Sequence, residues 1–175
     1  SPLTAYPEME WATVQVLADS PDKVEASPPA VSGQRQRIFE PLNAWLGTAP
    51  HTLDLVSPYF VPGDAGVQSL VALARKGVAV RIITNARAAT DVMAVHAGYA
   101  RHRHALLAAG VQVFELKPDA HALAPRARLP WRFRMGSASA ASLHGKTFVV
   151  DGRHVFVGSF NLDPRSVSLN TEQGV

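Results

Sequence analysis

Between residues 52 and 116 the chain switches repeatedly between two hydrophobic periods, and that alternation leaves few folds open to it. Thr52 to Val56 is a short apolar run, after which Val67, Leu70, Val71 and Ala74 recur at helical spacing, with Gly77 placed to cap the helix end. A second apolar run covers Val78 to Ile83. A further helix, capped by Thr90 or Asp91, extends through Ala109 to Gly110, and a strand follows from Val111 to Leu116. Strand, helix, strand, helix, strand implies parallel pairing with helices packed on the sheet faces, an α/β arrangement.

The flanks add strands and loops to this frame. Residues 11 to 18 alternate as a strand, whereas Asp19 to Gly33, rich in Pro, Ser and charge, reads as a loop. From Gln34 to Leu46 the positions Ile38, Phe39, Leu42, Trp45 and Leu46 predict a helix, with Pro41 expected to kink or break it. Leu143 to Val150 and His154 to Gly158 are β-rich runs joined by Asp151-Gly152, a strong hairpin signal. A length of 175 residues, 47% of them apolar, suffices for one substantial core and one domain.

Composition narrows the function classes. With no cysteine, a thiol nucleophile, Cys-ligated zinc and iron–sulfur clusters are excluded. No apolar run approaches the roughly 20 residues of a membrane-spanning helix. A net charge of +3 favours anionic partners, lipid headgroups or nucleic acid. Residues 117 to 142 carry Lys117, Arg126, Arg128, Arg132 and Arg134 against the single acid Asp119, with Trp131 and Phe133 interleaved. They read as a basic mobile loop, suited to anionic headgroups or a nucleic-acid backbone, or simply solvated. The chain begins at Ser1 and stops within an apparently extended segment, as expected of one part of a longer protein.

The chemistry concentrates in Leu143-His144-Gly145-Lys146-Thr147-Phe148-Val149-Val150-Asp151, continued by Gly158-Ser159-Phe160-Asn161. On a strand, His144 and Lys146 project from one face, so an imidazole and an ammonium converge on a single pocket. That pair suits a phosphoryl group. Imidazole can attack phosphorus or protonate a leaving oxygen, Lys146 supplies fixed positive charge, and Ser159 and Asn161 offer neutral donors to the non-bridging oxygens.

His-x-Lys, an Asp five positions beyond the Lys, and then Gly-Ser-x-Asn resembles the HKD signature of the phospholipase D superfamily. The likeness continues through Ser57-Pro58-Tyr59-Phe60-Val61-Pro62, Thr84-Asn85, Ala89-Thr90-Asp91, Val95-His96-Ala97-Gly98-Tyr99 and Asp163-Pro164-Arg165-Ser166 to Asn170-Thr171-Glu172. Over residues 52 to 175 these blocks look like the C-terminal half of bacterial cardiolipin synthases, closest to the class C branch. The resemblance implies a phospholipase D-like lobe, a mixed and mostly parallel sheet flanked by helices. It also implies a phosphatidyltransferase that needs no metal or cofactor and works through a phosphohistidine intermediate, peripherally on the cytoplasmic side of a bacterial inner membrane.

Such enzymes use two HKD motifs, one histidine as nucleophile and the other as general acid. This chain has one His-x-Lys, so the second would come from the rest of a longer chain or from an identical subunit. By resemblance His144 acts as general acid and then general base, and in a homodimer either that role or the nucleophile's is open to it. Glu172, 28 residues beyond His144, stands where the family places a carboxylate, and the resemblance implies that it orients and polarises the imidazole. Asp151 belongs to the signature with a role more structural or electrostatic than chemical. Tyr59, Asn85, His96 and Tyr99 are the substrate-binding candidates, and the expected partners are a phosphatidylglycerol-like phospholipid and an anionic membrane surface. A homodimeric, metal-independent nuclease is one alternative; a silent half-site that only binds anionic lipid is another.

Blander readings stand beside these. The hairpin turn alone explains Asp151-Gly152, core packing explains Tyr59 and Phe60, and Asn85 is equally a turn residue. His96 and Tyr99, at i and i+3 on a helix, either face the pocket or fill the core. Gly145-Lys146-Thr147 is not a phosphate-binding P-loop, because Ala140 stands where the earlier glycine is required. In Arg101-His102-Arg103-His104 the two histidines do not share a helix face, so the stretch reads as solvated basic surface.

Overall fold

The computed structural model describes residues 11–24, 37–87, 93–117 and 143–175. In chain order its elements are β1 (Leu17–Ala18), a 3-10 turn (Pro21–Val24), α1 (Phe39–Leu46), β2 (Thr52–Val56), α2 (Gly63–Arg75), β3 (Ala79–Asn85), α3 (Met93–Ala108), β4 (Gln112–Leu116), β5 (Thr147–Val150), β6 (His154–Val157), α4 (Pro164–Ser168) and β7 (Gln173–Gly174). Five strands form one sheet in the order β4-β3-β2-β5-β6. β2, β3 and β4 run parallel, while β5 is antiparallel to both β2 and β6, so the sheet is mixed.

The glycines expected to end α2 and α3 do so: Gly77 and Gly110 adopt φ of 92° and 88°, open to glycine at little steric cost. In the β5–β6 hairpin Asp151 and Gly152 both take positive φ, 53° and 63°, which matches the right-handed twist of the strands they join.

The connections β2-α2-β3 and β3-α3-β4 step in the same direction across the sheet. Right-handed crossovers made in one direction put both helices on one face, and α2 and α3 pack against each other there. Leu53, Leu55, Val80, Ile82, Phe148 and Val150 point into the core with Leu70 and Leu73 of α2, Leu106 of α3 and Leu42 of α1. The opposite sheet face is far more open, with Phe114 51%, Val155 53% and Val157 51% exposed. The mixed sheet flanked by helices is the fold class expected from the sequence.

Two local expectations are corrected. The strand predicted over residues 11–18 shrinks to Leu17–Ala18, the only residues of that stretch that find a ladder partner, in Gln173–Gly174. Val14 and Val16, at 63% and 68% exposed, alternate without burial. Pro41 neither kinks nor breaks α1. The helix starts at Phe39, so Pro41 lies in its first turn, where an N–H has no intrahelical acceptor to lose. Thr90, Asp91 and the basic stretch after Lys117 lie outside the described residues. No helix among the described residues is long and apolar enough to cross a membrane.

Candidate active site

Strand direction gathers the chemistry at one sheet edge. The carboxyl ends of β2 and β3 point there, and because β5 is antiparallel to β2, Val56 pairs with Thr147 and the entry to β5 lies at the same edge. Thr147 in turn pairs with Val157, which brings the exit of β6 alongside. His144 and Lys146 therefore precede β5, Ser159 and Asn161 follow β6, and Tyr59 and Asn85 follow or end the parallel strands, all on one side. This is the edge where open α/β sheets bind ligands.

β5 begins at Thr147, so His144 and Lys146 lie on the segment entering the strand rather than in the ladder. That segment is fastened at both ends. Asn85, 6% exposed, donates from Nδ2 to the Leu143 carbonyl (3.2 Å) and accepts at Oδ1 from the Leu143 N–H (2.9 Å). At the other end the Gly158 N–H donates to the Lys146 carbonyl (3.2 Å). His144 remains exposed, and the Lys146 ammonium donates to its carbonyl oxygen (2.8 Å). Partial burial pulls the Lys146 ammonium below the ordinary lysine range, while the nearby carboxylates of Glu172 and Asp163 pull it back up.

Gly158 meets Gly174 across an isolated bridge, with room for nothing larger. A Cβ on Gly158 would lie 2.4 Å from the Gln173 carbonyl oxygen. This close approach sets Ser159 above the C-terminal segment, where its N–H donates to Gln173 O (2.8 Å) and its Oγ to Glu172 Oε2 (2.5 Å). The other Glu172 oxygen accepts from Ser166 Oγ (2.7 Å), and that hydroxyl accepts from the Asn161 N–H (3.1 Å). Ser166 is presented by α4, whose N-cap Asp163 accepts from the Ser166 N–H (2.8 Å) ahead of Pro164 in the first turn. An open cleft of about 850 Å³ runs beside this network, lined among others by Ser159, Asn170, Glu172 and Gln173.

The structure thus brings His144, Lys146, Ser159, Asn161, Glu172, Tyr59 and Asn85 to one edge and separates two others from it. Asp151, grouped with the catalytic residues by its place in the motif, sits at the opposite end of β5. Its carboxylate accepts from the N–H groups of His51 (3.2 Å) and Thr52 (2.8 Å), pinning the hairpin turn to the start of β2, a framework role. Tyr99, expected among the substrate-binding residues, is 2% exposed and packs edge-on against Phe60 with ring centroids 5.8 Å apart. Its hydroxyl donates to Glu115 (3.1 Å), and burial pushes the phenol up to about 12. Tyr99 belongs to the core. His96 lies on α3, and its side chain falls outside the described residues.

Glu172, expected to hold the imidazole, directs both carboxylate oxygens to serine hydroxyls instead. Asn161 is 8% exposed, and its Oδ1 is buried without a hydrogen-bond partner among the described residues. Among the described residues no group of three or more His, Asp or Glu is arranged to hold a metal ion. Arg101 is exposed and faces Asp64 at 3.8 Å, as expected of solvated basic surface, whereas the His102 side chain, which reaches the same carboxylate at 3.6 Å, is only 12% exposed.

Sequence reasoning assigns no site role to Asp163, Ser166, Asp19 or Lys23, though signals for them are present. Asp163-Pro164 is an N-cap followed by proline at the first helical position. Asp19 and Lys23 stand four residues apart with opposite charge, but inside a stretch whose composition reads as loop.

Comparison with known proteins gives a consistent picture. Residues 42–175 match the family described as cardiolipin synthase, PLD-like domain. Cardiolipin synthase C of Escherichia coli K12 is 47% identical over 164 residues, 94% of this chain and 33% of that protein. Cardiolipin synthase A of Pectobacterium carotovorum is 29% identical over 91% of this chain and 26% of its own length. The chain therefore spans about a third or less of these relatives. In fold it is similar to Nuc, a phospholipase D family member from Salmonella typhimurium, with TM-score 0.57, 20% identity, and coverage of 93% of this chain and 80% of Nuc. It is also similar to phosphatidylserine synthase of Haemophilus influenzae, with TM-score 0.53, 18% identity, and coverage of 76% and 30%.

Proposed function

The chain belongs to the phospholipase D-like cardiolipin synthase family, and on that premise we propose that it forms one lobe of a phosphatidyltransferase and supplies half of a two-histidine active site. The donor is a phosphatidylglycerol-like phospholipid, and the lobe works at an anionic membrane surface. The observation that carries this reading is the gathering of His144, Lys146, Ser159 and Asn161 at one sheet edge from two strands antiparallel to each other.

In the first step one imidazole attacks phosphorus and displaces the headgroup oxygen, which takes a proton from the second imidazole and leaves as an alcohol. In the return step the acceptor hydroxyl gives its proton to that second imidazole and attacks the phosphohistidine, freeing the first. His144 fills one of these two roles, and the partner histidine comes from a second lobe. Its exposure suits it to both substrate and partner. Lys146, partly desolvated, offsets charge on the phosphoryl oxygens more strongly than a fully solvated ammonium would. Ser159 and Asn161 frame the same group. The carboxylates of Glu172 and Asp163 offset part of the desolvation that burial imposes on the Lys146 ammonium.

The test is turnover of phosphatidylglycerol vesicles by this chain in EDTA, following cardiolipin and phosphatidic acid, with His144→Ala in parallel. Product that disappears in the variant, with an unchanged far-UV spectrum, supports the reading and means that two copies complete the site. Product that persists in His144→Ala sinks the assignment. Chelator-resistant cleavage of DNA with no lipid turnover would instead favour the nuclease alternative.

A further inference from the structure

One buried charged pair takes no part in that chemistry. The side chains of Asp19 and Lys23 are 0% and 1% exposed. Lys23 Nζ donates to Asp19 Oδ2 (2.6 Å), to the Ser166 carbonyl (2.7 Å) and to the Asn170 carbonyl (2.7 Å), which uses all three ammonium hydrogens. Asp19 Oδ1 accepts from the Ile38 N–H (2.9 Å), and Oδ2 also accepts from the Glu172 N–H (2.9 Å). The Asp19 N–H donates back to the Glu172 carbonyl (2.8 Å).

Burying two charges costs desolvation that their attraction repays only when every remaining hydrogen-bonding position is filled, and a well-packed apolar pair is often as stable. Stability alone therefore gives little reason for an ion pair here. What an apolar pair lacks is direction. Lys23 ties the carbonyls of α4 and of the turn after it, while Asp19 brackets the Glu172 peptide from both sides, so the chain from Ser166 to Glu172 is held at both ends. The Glu172 side chain leaves that fixed peptide and reaches Ser159 and Ser166.

We propose that the buried Asp19–Lys23 pair is a positioning device that holds the Glu172 carboxylate against Ser159 and Ser166 and so sets the geometry of the site edge. This deepens the proposed function and rests on its reading of that edge as the active site. The pair acts through Glu172 and touches no reacting group. If the clamp is loosened, Glu172 moves off, and Lys146 is left with Asp163 as its remaining nearby carboxylate against the same burial.

The test uses the full chain with Lys23→Met and with the uncharged double variant Asp19→Asn/Lys23→Met, which leaves no unpaired buried charge and carries the comparison if the single variant does not fold. Lysine labelled at its ε-carbon is titrated by NMR, and the Lys146 resonance is identified with Lys146→Arg. In the folded variants Lys146 is expected to titrate at lower pH than in the parent, and turnover per folded molecule to fall by on the order of tenfold or more. An unchanged Lys146 titration in a folded variant, whatever its melting temperature, overturns the proposal and leaves the pair a purely structural bond. Turnover that persists in His144→Ala would count against the proposed function alone, and absence of turnover in the parent would place the second histidine outside this chain; in either case the Lys146 titration still decides this question.

Discussion

Two glycines of the motif region meet opposite demands, and exchanging each for alanine tests whether close backbone approach shapes the site. A Cβ on Gly158 would lie 2.4 Å from Gln173 O, 2.7 Å from Phe156 Cζ and 2.8 Å from Gly174 Cα. Ordinary contact begins near 3.4 Å, so the strands must part by about 1 Å, enough to overpack the junction at about 1–3 kcal/mol. Phe156 cannot swing aside, being 3% exposed and stacked on Phe148 at 5.4 Å. The same movement breaks Ser159 N–H to Gln173 O and Gly158 N–H to Lys146 O, each contributing about 1 kcal/mol. Gly158→Ala should therefore cost about 3–5 kcal/mol, a large part of the roughly 5–15 kcal/mol that stabilises a typical domain. Around Gly145, by contrast, a Cβ meets nothing within 4 Å, and Gly145→Ala should stay within about 0.5 kcal/mol of the parent. Equilibrium urea denaturation with unchanged m-values measures both. A Gly158→Ala loss below about 1 kcal/mol, or an equal loss at Gly145, refutes the reasoning.

Three further outcomes are expected. Lys146→Ala should lower lipid turnover by a factor corresponding to about 3 kcal/mol, as for loss of a preorganised charge; because burial holds the Lys146 ammonium below the ordinary lysine range, the parent's activity should fall off at a pH below that range, as a pH–rate profile will show. Asn85→Ala removes both bonds to Leu143 and should cost about 2 kcal/mol, with faster hydrogen exchange at the Leu143 amide; unchanged exchange would mean that Asn85 does not hold the His144 segment. Tyr99→Phe should remove the phenol that titrates at about 12 from the near-UV titration. In the parent that phenol stays protonated when folded and ionises near 10 when unfolded, so stability should fall as pH rises from about 10 towards 12, and the variant should lose this component.

Local periodicity makes most of the fold legible in the sequence itself. β2, α2, β3, α3 and β4 follow from apolar spacing and terminal glycines, and the β5–β6 hairpin follows from Asp151-Gly152. Those signals are local, and the residues that carry them lie within a turn or two of one another. The proposed site residues are legible for a related reason: His144, Lys146, Ser159 and Asn161 fall in two short segments flanking one hairpin, so their spacing already implies their meeting.

What sequence alone leaves open depends on partners distant along the chain. Asp151 stands in the motif, yet the length of β5 carries it to the far edge of the sheet. Tyr99 is polar at its tip, but Phe60 and Glu115 claim it for the core. Glu172 lies at the spacing expected of an imidazole partner, and in the folded chain its carboxylate oxygens accept from the hydroxyls of Ser159 and Ser166. Composition reads Asp19 to Gly33 as loop because a buried ion pair looks the same in sequence as a solvated one. Only the folding of β1 against β7 and of the Lys23 ammonium into the carbonyls after α4 decides which it is, since burial and hydrogen-bond direction are properties of the assembled chain.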